Sequence, residues 1–232
     1  MNIYRHLIQR AGVGVAVVFL LFASAAFAEQ KSVSIPEEIE WTWEVRPPHP
    51  DLKLPNVLLL GDSLSRNYFP QVTKDLAGVA NVYLIASSTS VGDPRLPQEI
   101  REFAAMEHVP FRIVHFNNGM HGWDYTEAQY KTAFPEFLRT VRSLVARNSA
   151  LIWATTTPVK PQAFNGATND RVDARNVIAR TFVDVAHIPI DDQHALMIRH
   201  QDLYQDTVHF NTAGSNLMGD QAAAMIRAQL RE

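Results

Sequence analysis

Short apolar runs at 56–61, 82–86, 111–116, 150–155 and 188–190 are separated by stretches each long enough to hold a helix. The first, Asn56-Val57-Leu58-Leu59-Leu60-Gly61, is continuously apolar instead of alternating, which suits a strand buried on both faces of a parallel sheet. Parallel neighbours need a crossover, and the segments at 64–76, 96–106, 125–146 and 170–186 read as the helices that supply it. A last helix is expected over 213–231, where Leu217, Met218, Ala222, Met225 and Ile226 recur at helical spacing. The pattern predicts one α/β domain, residues 55–232, built on a central parallel sheet.

The first 54 residues stand outside this pattern. Arg5 and Arg10 precede an apolar run over 11–22 and then small residues ending in Ala26-Phe27-Ala28, the signature of a signal peptide spanning 1–28. The run is shorter than the roughly 20 residues a membrane-spanning helix needs. The chain has no cysteine, so no lipid can be attached through one. An exported chain, periplasmic or secreted, without a stable membrane anchor is therefore expected. Residues 29–54, rich in Pro, Glu and Trp, read as an irregular arm lying over the domain.

Losing Arg5 and Arg10 with the signal segment lowers a basic count of 21 against 24 acidic side chains, so the mature chain is acidic and nucleic acid is not an expected partner. Without cysteine, a thiol nucleophile, a disulfide framework and a thiolate metal site are all excluded. Serine is left as the strong nucleophile candidate.

In sheets of this kind ligands bind beyond the carboxyl ends of the strands. Gly61-Asp62-Ser63-Leu64 sits where the first strand turns into a helix, placing Ser63 at a helix N-terminus that favours a developing oxyanion. A plain N-cap role for Asp62 or Ser63 explains the same tetrapeptide. A serine hydroxyl becomes a useful nucleophile only beside an imidazole that a carboxylate orients. Asp206-Thr207-Val208-His209, immediately before the last helix, offers both groups from one loop. A second such spacing, Asp191-Asp192-Gln193-His194, reads instead as a helix cap. His115, His121 and Asp124 do not follow a metal-ligand spacing, and neither metal nor cofactor is expected.

With these blocks in this order, the chain resembles the GDSL/SGNH hydrolase superfamily from about residue 56 to its C-terminus. The resemblance implies a flavodoxin-like three-layer α/β/α sandwich, with Ser63 as nucleophile, His209 as base and Asp206 orienting it. It also implies an oxyanion hole built from the Ser63 N–H, a glycine N–H in the second block and an asparagine amide in the third. Gly92 is the only glycine in the stretch after the second strand. The family's third block, Gly-x-Asn-Asp, is replaced here by Asn117-Asn118-Gly119-Met120-His121-Gly122. Alignment on the glycine selects His121, and alignment on the chemistry selects Asn117 or Asn118. Asn-Gly is also a turn signal in its own right.

Asp62 and Trp123 are candidate substrate-binding residues, and Trp41, Trp43, Trp123 and Tyr125 either form an aromatic rim for sugar rings or serve as core. The resemblance implies hydrolysis of small acyl esters, acetyl on a carbohydrate foremost. Lipid or thioester hydrolysis, acyl transfer to a polysaccharide and a non-catalytic carbohydrate-binding module are the alternatives.

Overall fold

The protein, represented by a computed structural model, is described over residues 33–161 and 166–231. The segment expected to be a signal peptide, 1–28, lies outside the described residues. The chain runs β1 (Thr42–Val45), β2 (Asn56–Gly61), α1 (Ser63–Asp75), β3 (Asn81–Ser87), α2 (Leu96–Glu107), β4 (Phe111–Phe116) and α3 (Glu127–Ser143). It continues through β5 (Val145–Ala154), α4 (Asn169–Val185), β6 (Ile190–Asp191), the short α5 (Gln193–Met197), a 3-10 turn at Gln201–Leu203 and α6 (Thr212–Leu230).

The sheet order is β1-β3-β2-β4-β5-β6. From β3 to β6 every pairing is parallel. Strand residues alternate between two cores. Val57, Leu59, Val82 and Leu84 pack with Tyr68 and Val72 of α1 and with Met218, Ala222 and Ile226 of α6. Leu58, Leu60, Tyr83 and Ile85 pack with Phe103 of α2, Phe134 and Phe137 of α3 and Val183 of α4. Each Val, Leu, Ile, Phe or Met among them contributes about 1.5–3 kcal/mol on full burial, so covering both faces explains why β2 is apolar from Val57 to Leu60 instead of alternating. Gly219 lets α6 lie directly on α1, because a Cβ there would fall 2.7 Å from Gln71 Cβ and 3.0 Å from the Tyr68 carbonyl oxygen.

The arm departs from the expectation of irregular structure, and with it the sheet departs from being wholly parallel. β1 pairs antiparallel with β3, Trp43 opposite Ala86. Its Thr, Trp and Val are good strand formers, and it covers an edge of β3 that would otherwise present unpaired backbone groups. It is four residues long, and Pro47 and Pro48 follow directly after Arg46, where they oppose its continuation. Smaller shifts occur elsewhere. β5 begins at Val145 instead of 150, and β6 is Ile190–Asp191 instead of 188–190. α3 begins only after Thr126, which forms a capping box with Gln129.

β2 lies between β3 and β4, so the crossovers leaving it and returning past it diverge at its carboxyl end. That divergence opens the crevice in which such sheets bind ligands. Ser63 and the loop after β4 border it.

Candidate active site

The two readings of the Gly61-Asp62-Ser63-Leu64 block are compatible, because the cap falls on Asp62 and leaves the Ser63 side chain out of it. Asp62, 1% exposed, caps α1: its Oδ1 accepts from the Leu64 N–H at 3.0 Å, and its carbonyl accepts from the Arg66 N–H at 3.0 Å. Ser63 then begins the helix, and its N–H has no protein acceptor among the described residues. Its Oγ lies 2.7 Å from His209 Nε2.

The loop carrying His209 is folded by its own sequence. Tyr204 and Phe210 form an antiparallel bridge and stack at 4.4 Å, and the Gln205 N–H donates to the His209 carbonyl at 2.8 Å. Asn211 then caps α6 by accepting from Ala213 and Gly214. Inside this loop Asp206 Oδ2 stands 2.8 Å from His209 Nδ1, while Oδ1 accepts from the backbone N–H groups of Val208 and His209, both at 2.7 Å. Partial burial works to raise the Asp206 pKa. The two backbone donors and the imidazole outweigh it and hold the carboxyl below its usual range. Ser63, His209 and Asp206 are thus joined in one hydrogen-bonded line from hydroxyl to imidazole to ionised carboxylate, the arrangement that activates a serine.

The remaining sequence candidates separate. Asn117 donates its amide to the Ala154 carbonyl at 2.6 Å and to Thr156 Oγ1 at 3.2 Å, and it accepts from the Gly119 N–H. Asn118 donates to the Thr89 carbonyl at 3.0 Å. The Gly92 N–H donates to Ser90 Oγ at 3.1 Å, and the residue is packed on the Tyr125 ring. Asn118 and Gly92 join the loops after β3 and β4, Asn117 ties the loop after β4 to the end of β5, and none of the three lines the cavity next to Ser63. Asp62 is likewise absent from that lining and serves as the cap.

His121 and Trp123 do line the cavity, which has a volume of about 1090 Å³ and is also bordered by Ser63, His209 and the arm residues Glu37 and Trp41. Trp123 is 7% exposed and lies beneath the Arg175 guanidinium, 4.0 Å from its ring centroid, so it forms wall more than rim. Tyr125 is core, and its hydroxyl accepts from the Ile35 N–H and donates to Asp93 Oδ2. Trp43 is exposed, with the Arg66 guanidinium 4.2 Å over its ring. The second Asp-x-x-His block lies in a different setting. Asp192 caps α5, His194 stands beside Asp173, and the buried Asp191 holds His115 Nε2 at 2.7 Å.

Two sets of residues escaped the sequence reading. Glu37 in the arm meets His121 and the Gly122 N–H, and nothing local distinguishes it from the arm's other carboxylates. Arg171 and Arg175 of α4, four apart and so on one helix face, donate to the loop carbonyls of His121, Gly122, Trp123 and Tyr125. That spacing was a usable signal. Gly122 completes the loop with φ of +70°, and a Cβ there would meet Ser90 Oγ at 2.1 Å.

No family model matches the sequence, and no curated protein is similar to it by sequence. Solved structures are similar in fold. A lipolytic protein of the G-D-S-L family from Veillonella parvula superposes with a TM-score of 0.59 at 16% identity, over 74% of this chain and 98% of that one. The catalytic domain of peptidoglycan O-acetyltransferase A from Streptococcus pneumoniae gives 0.55 at 16%, over 76% and 94%. The acetylxylan esterase Axe2 from Geobacillus stearothermophilus gives 0.57 at 14%, over 76% and 94%. The fold of this chain is that of the GDSL/SGNH hydrolases, as its Gly61-Asp62-Ser63-Leu64 and Asp206-x-x-His209 blocks led one to expect.

Proposed function

We propose that the protein is a serine esterase that removes small acyl groups, acetyl foremost, from carbohydrate esters. The observation that carries this reading is the 2.7 Å approach of Ser63 Oγ to His209 Nε2, continued to Asp206 at 2.8 Å. In the first half-reaction Ser63 Oγ attacks the acyl carbon while its proton passes to His209 Nε2. The carbonyl electron pair moves to oxygen, facing the free Ser63 N–H. Collapse of this intermediate breaks the ester bond, and the departing alcohol takes the proton from His209. Water repeats the sequence on the acyl-enzyme, giving its proton to His209, and collapse releases the carboxylic acid and reprotonates Ser63. Asp206 remains ionised throughout, fixing the ring and balancing the imidazolium.

Support for an acetyl-carbohydrate substrate comes from the kinship in fold to an acetylxylan esterase and a peptidoglycan O-acetyltransferase. The size of the cavity and its Trp41 and Trp123 walls agree with a sugar ring. The test is hydrolysis of p-nitrophenyl esters of increasing chain length by the wild type, Ser63→Ala and His209→Ala. Acetyl is expected to be the preferred acyl group, with both variants inactive. Full activity in either variant would refute the mechanism, and preference for long chains would favour a lipase or thioesterase. Adding a sugar acceptor distinguishes hydrolysis from transfer, because a transferase moves the acetyl group to the sugar. Export belongs to the same reading, and N-terminal sequencing of the secreted or periplasmic protein is expected to begin at Glu29.

A further inference from the structure

With the amides of Asn117 and Asn118 and the Gly92 N–H all committed to structural acceptors, the Ser63 N–H is left needing a partner donor. We propose that His121 donates that second hydrogen bond to the oxyanion through Nε2, and that Glu37, reaching in from the arm, is the positioning residue that holds the ring for it. The proposal rests on the serine-esterase reading and deepens it.

The ring is fixed from several directions. Glu37 Oε2 lies 3.0 Å from His121 Nδ1, while Glu37 Oε1 accepts from the Gly122 N–H at 2.8 Å, so one carboxylate grips both the ring and the backbone that bears it. Trp41 meets the ring edge-on, with centroids 5.8 Å apart. Behind it, Arg175 donates to the carbonyls of His121 and Gly122, both at 2.8 Å. The grip is itself anchored. The Glu37 N–H donates to Glu40 Oε1, and Glu40 accepts from Arg95 and Ser88 on the domain. With Nδ1 spoken for, Nε2 is the ring nitrogen left without a protein partner among the described residues. The ring borders the cavity shared with Ser63 and His209.

Nε2 can donate while Nδ1 faces an ionised Glu37 only if the ring is an imidazolium. The carboxylates around it favour that form: Glu37 and Glu40 approach from the arm and Asp62 from the start of α1. Arg175 of α4 carries a like charge and acts on the other partner, helping to keep Glu37 ionised. Arg66, Asp124 and His209 line the same cavity. Burial opposes the charge, but the carboxylates outweigh it, and the His121 pKa is raised above 6.5 while that of Glu37 is held below 4.5. His121 therefore keeps its Nε2 proton as pH rises through 6.5. It loses the proton at its higher folded value, where the bare nitrogen would repel an oxyanion.

The test measures kcat and KM for an acetyl ester against pH with the full chain, beside Ser63→Ala, Glu37→Gln, His121→Leu and His121→Gln, each checked for folding by circular dichroism. In the wild type, kcat is expected to fall on the alkaline side. His121→Leu should lose about 10²–10³-fold in kcat with little change in KM, the usual effect of removing one oxyanion donor. Glu37→Gln should lower kcat and abolish the alkaline fall, because with its oxygen on the Gly122 N–H its amide donates to Nδ1 and holds a neutral ring with the proton on Nε2. His121→Gln, a donor that does not titrate, should recover part of the kcat and abolish the fall. A wild-type kcat that stays flat on the alkaline side overturns the proposal without any variant. Folded Glu37→Gln with wild-type kcat and profile, or His121→Leu acting only on KM, also overturns it. Activity surviving in Ser63→Ala would instead refute the esterase reading on which the proposal depends.

Discussion

Asp62, Ser63, Asp206 and His209 act within two short stretches of chain, and each stretch builds its part of the site almost by itself. Asp206 illustrates this: two backbone N–H groups two and three residues along hold it, and the same carboxylate faces the imidazole of the histidine it helps to place. Asp206→Asn is therefore expected to keep the fold and lower kcat by about 10³–10⁴-fold, since an amide favours the wrong imidazole tautomer. Thermal melting beside steady-state kinetics checks this. The reason these residues were legible in the sequence is that their partners are local or recur at a fixed spacing. His121 and Glu37 were not legible as a pair, because they are 84 positions apart and meet only where the arm crosses the crevice. Asn117 and Asn118 looked like oxyanion donors on chemistry alone. Sequence cannot show that the carbonyls of Ala154 and Thr89 already accept from their amides.

The loop after β4 owes its shape to an element distant in sequence. Arg175 of α4, 1% exposed, gives its two terminal nitrogens to the carbonyls of His121, Gly122 and Tyr125, with Gly119 at the limit of reach. Burial lowers its pKa to about 10, still well above neutrality, so the guanidinium stays charged in place. Replacing it by Met leaves several buried carbonyls without a donor, each costing about 1–3 kcal/mol. A loss of roughly 3 kcal/mol in urea unfolding is expected, together with a fall in kcat as the loop relaxes. Arg175→Lys should restore little, because a lysine cannot reproduce the fork. At this scale the sequence announced the helices and buried strands through their apolar periodicity. It missed β1, whose four residues bury little and are defined by the β3 edge they cover.

Across the whole molecule, the arm and the site loops are bound by carboxylates with depressed pKa values. Glu37, Asp93, Glu127 and Asp206 all titrate below their ordinary values, burial being overcome in each by hydrogen bonds and, in the first three, by neighbouring Arg charges. A depressed folded pKa adds stability that is complete above the unfolded value, about 3.8 for Asp and 4.5 for Glu, and lost as pH falls through the folded value. His121 acts in the opposite sense. Its raised pKa adds stability present below 6.5 and lost as pH climbs through its higher folded value. Urea midpoints are therefore expected to decline below about pH 4 and, more gently, on the alkaline side. Glu37→Gln should remove the alkaline part. A midpoint that is level across the acid range would mean these carboxylates do not hold the fold.

Activation of the Ser63 hydroxyl by His209 and Asp206 is tested most directly by treating the folded protein with a fluorophosphonate, followed by peptide mass mapping. A single adduct on Ser63, abolished in His209→Ala, is the expected result. Absence of any adduct, or its appearance on another residue, contradicts this activation.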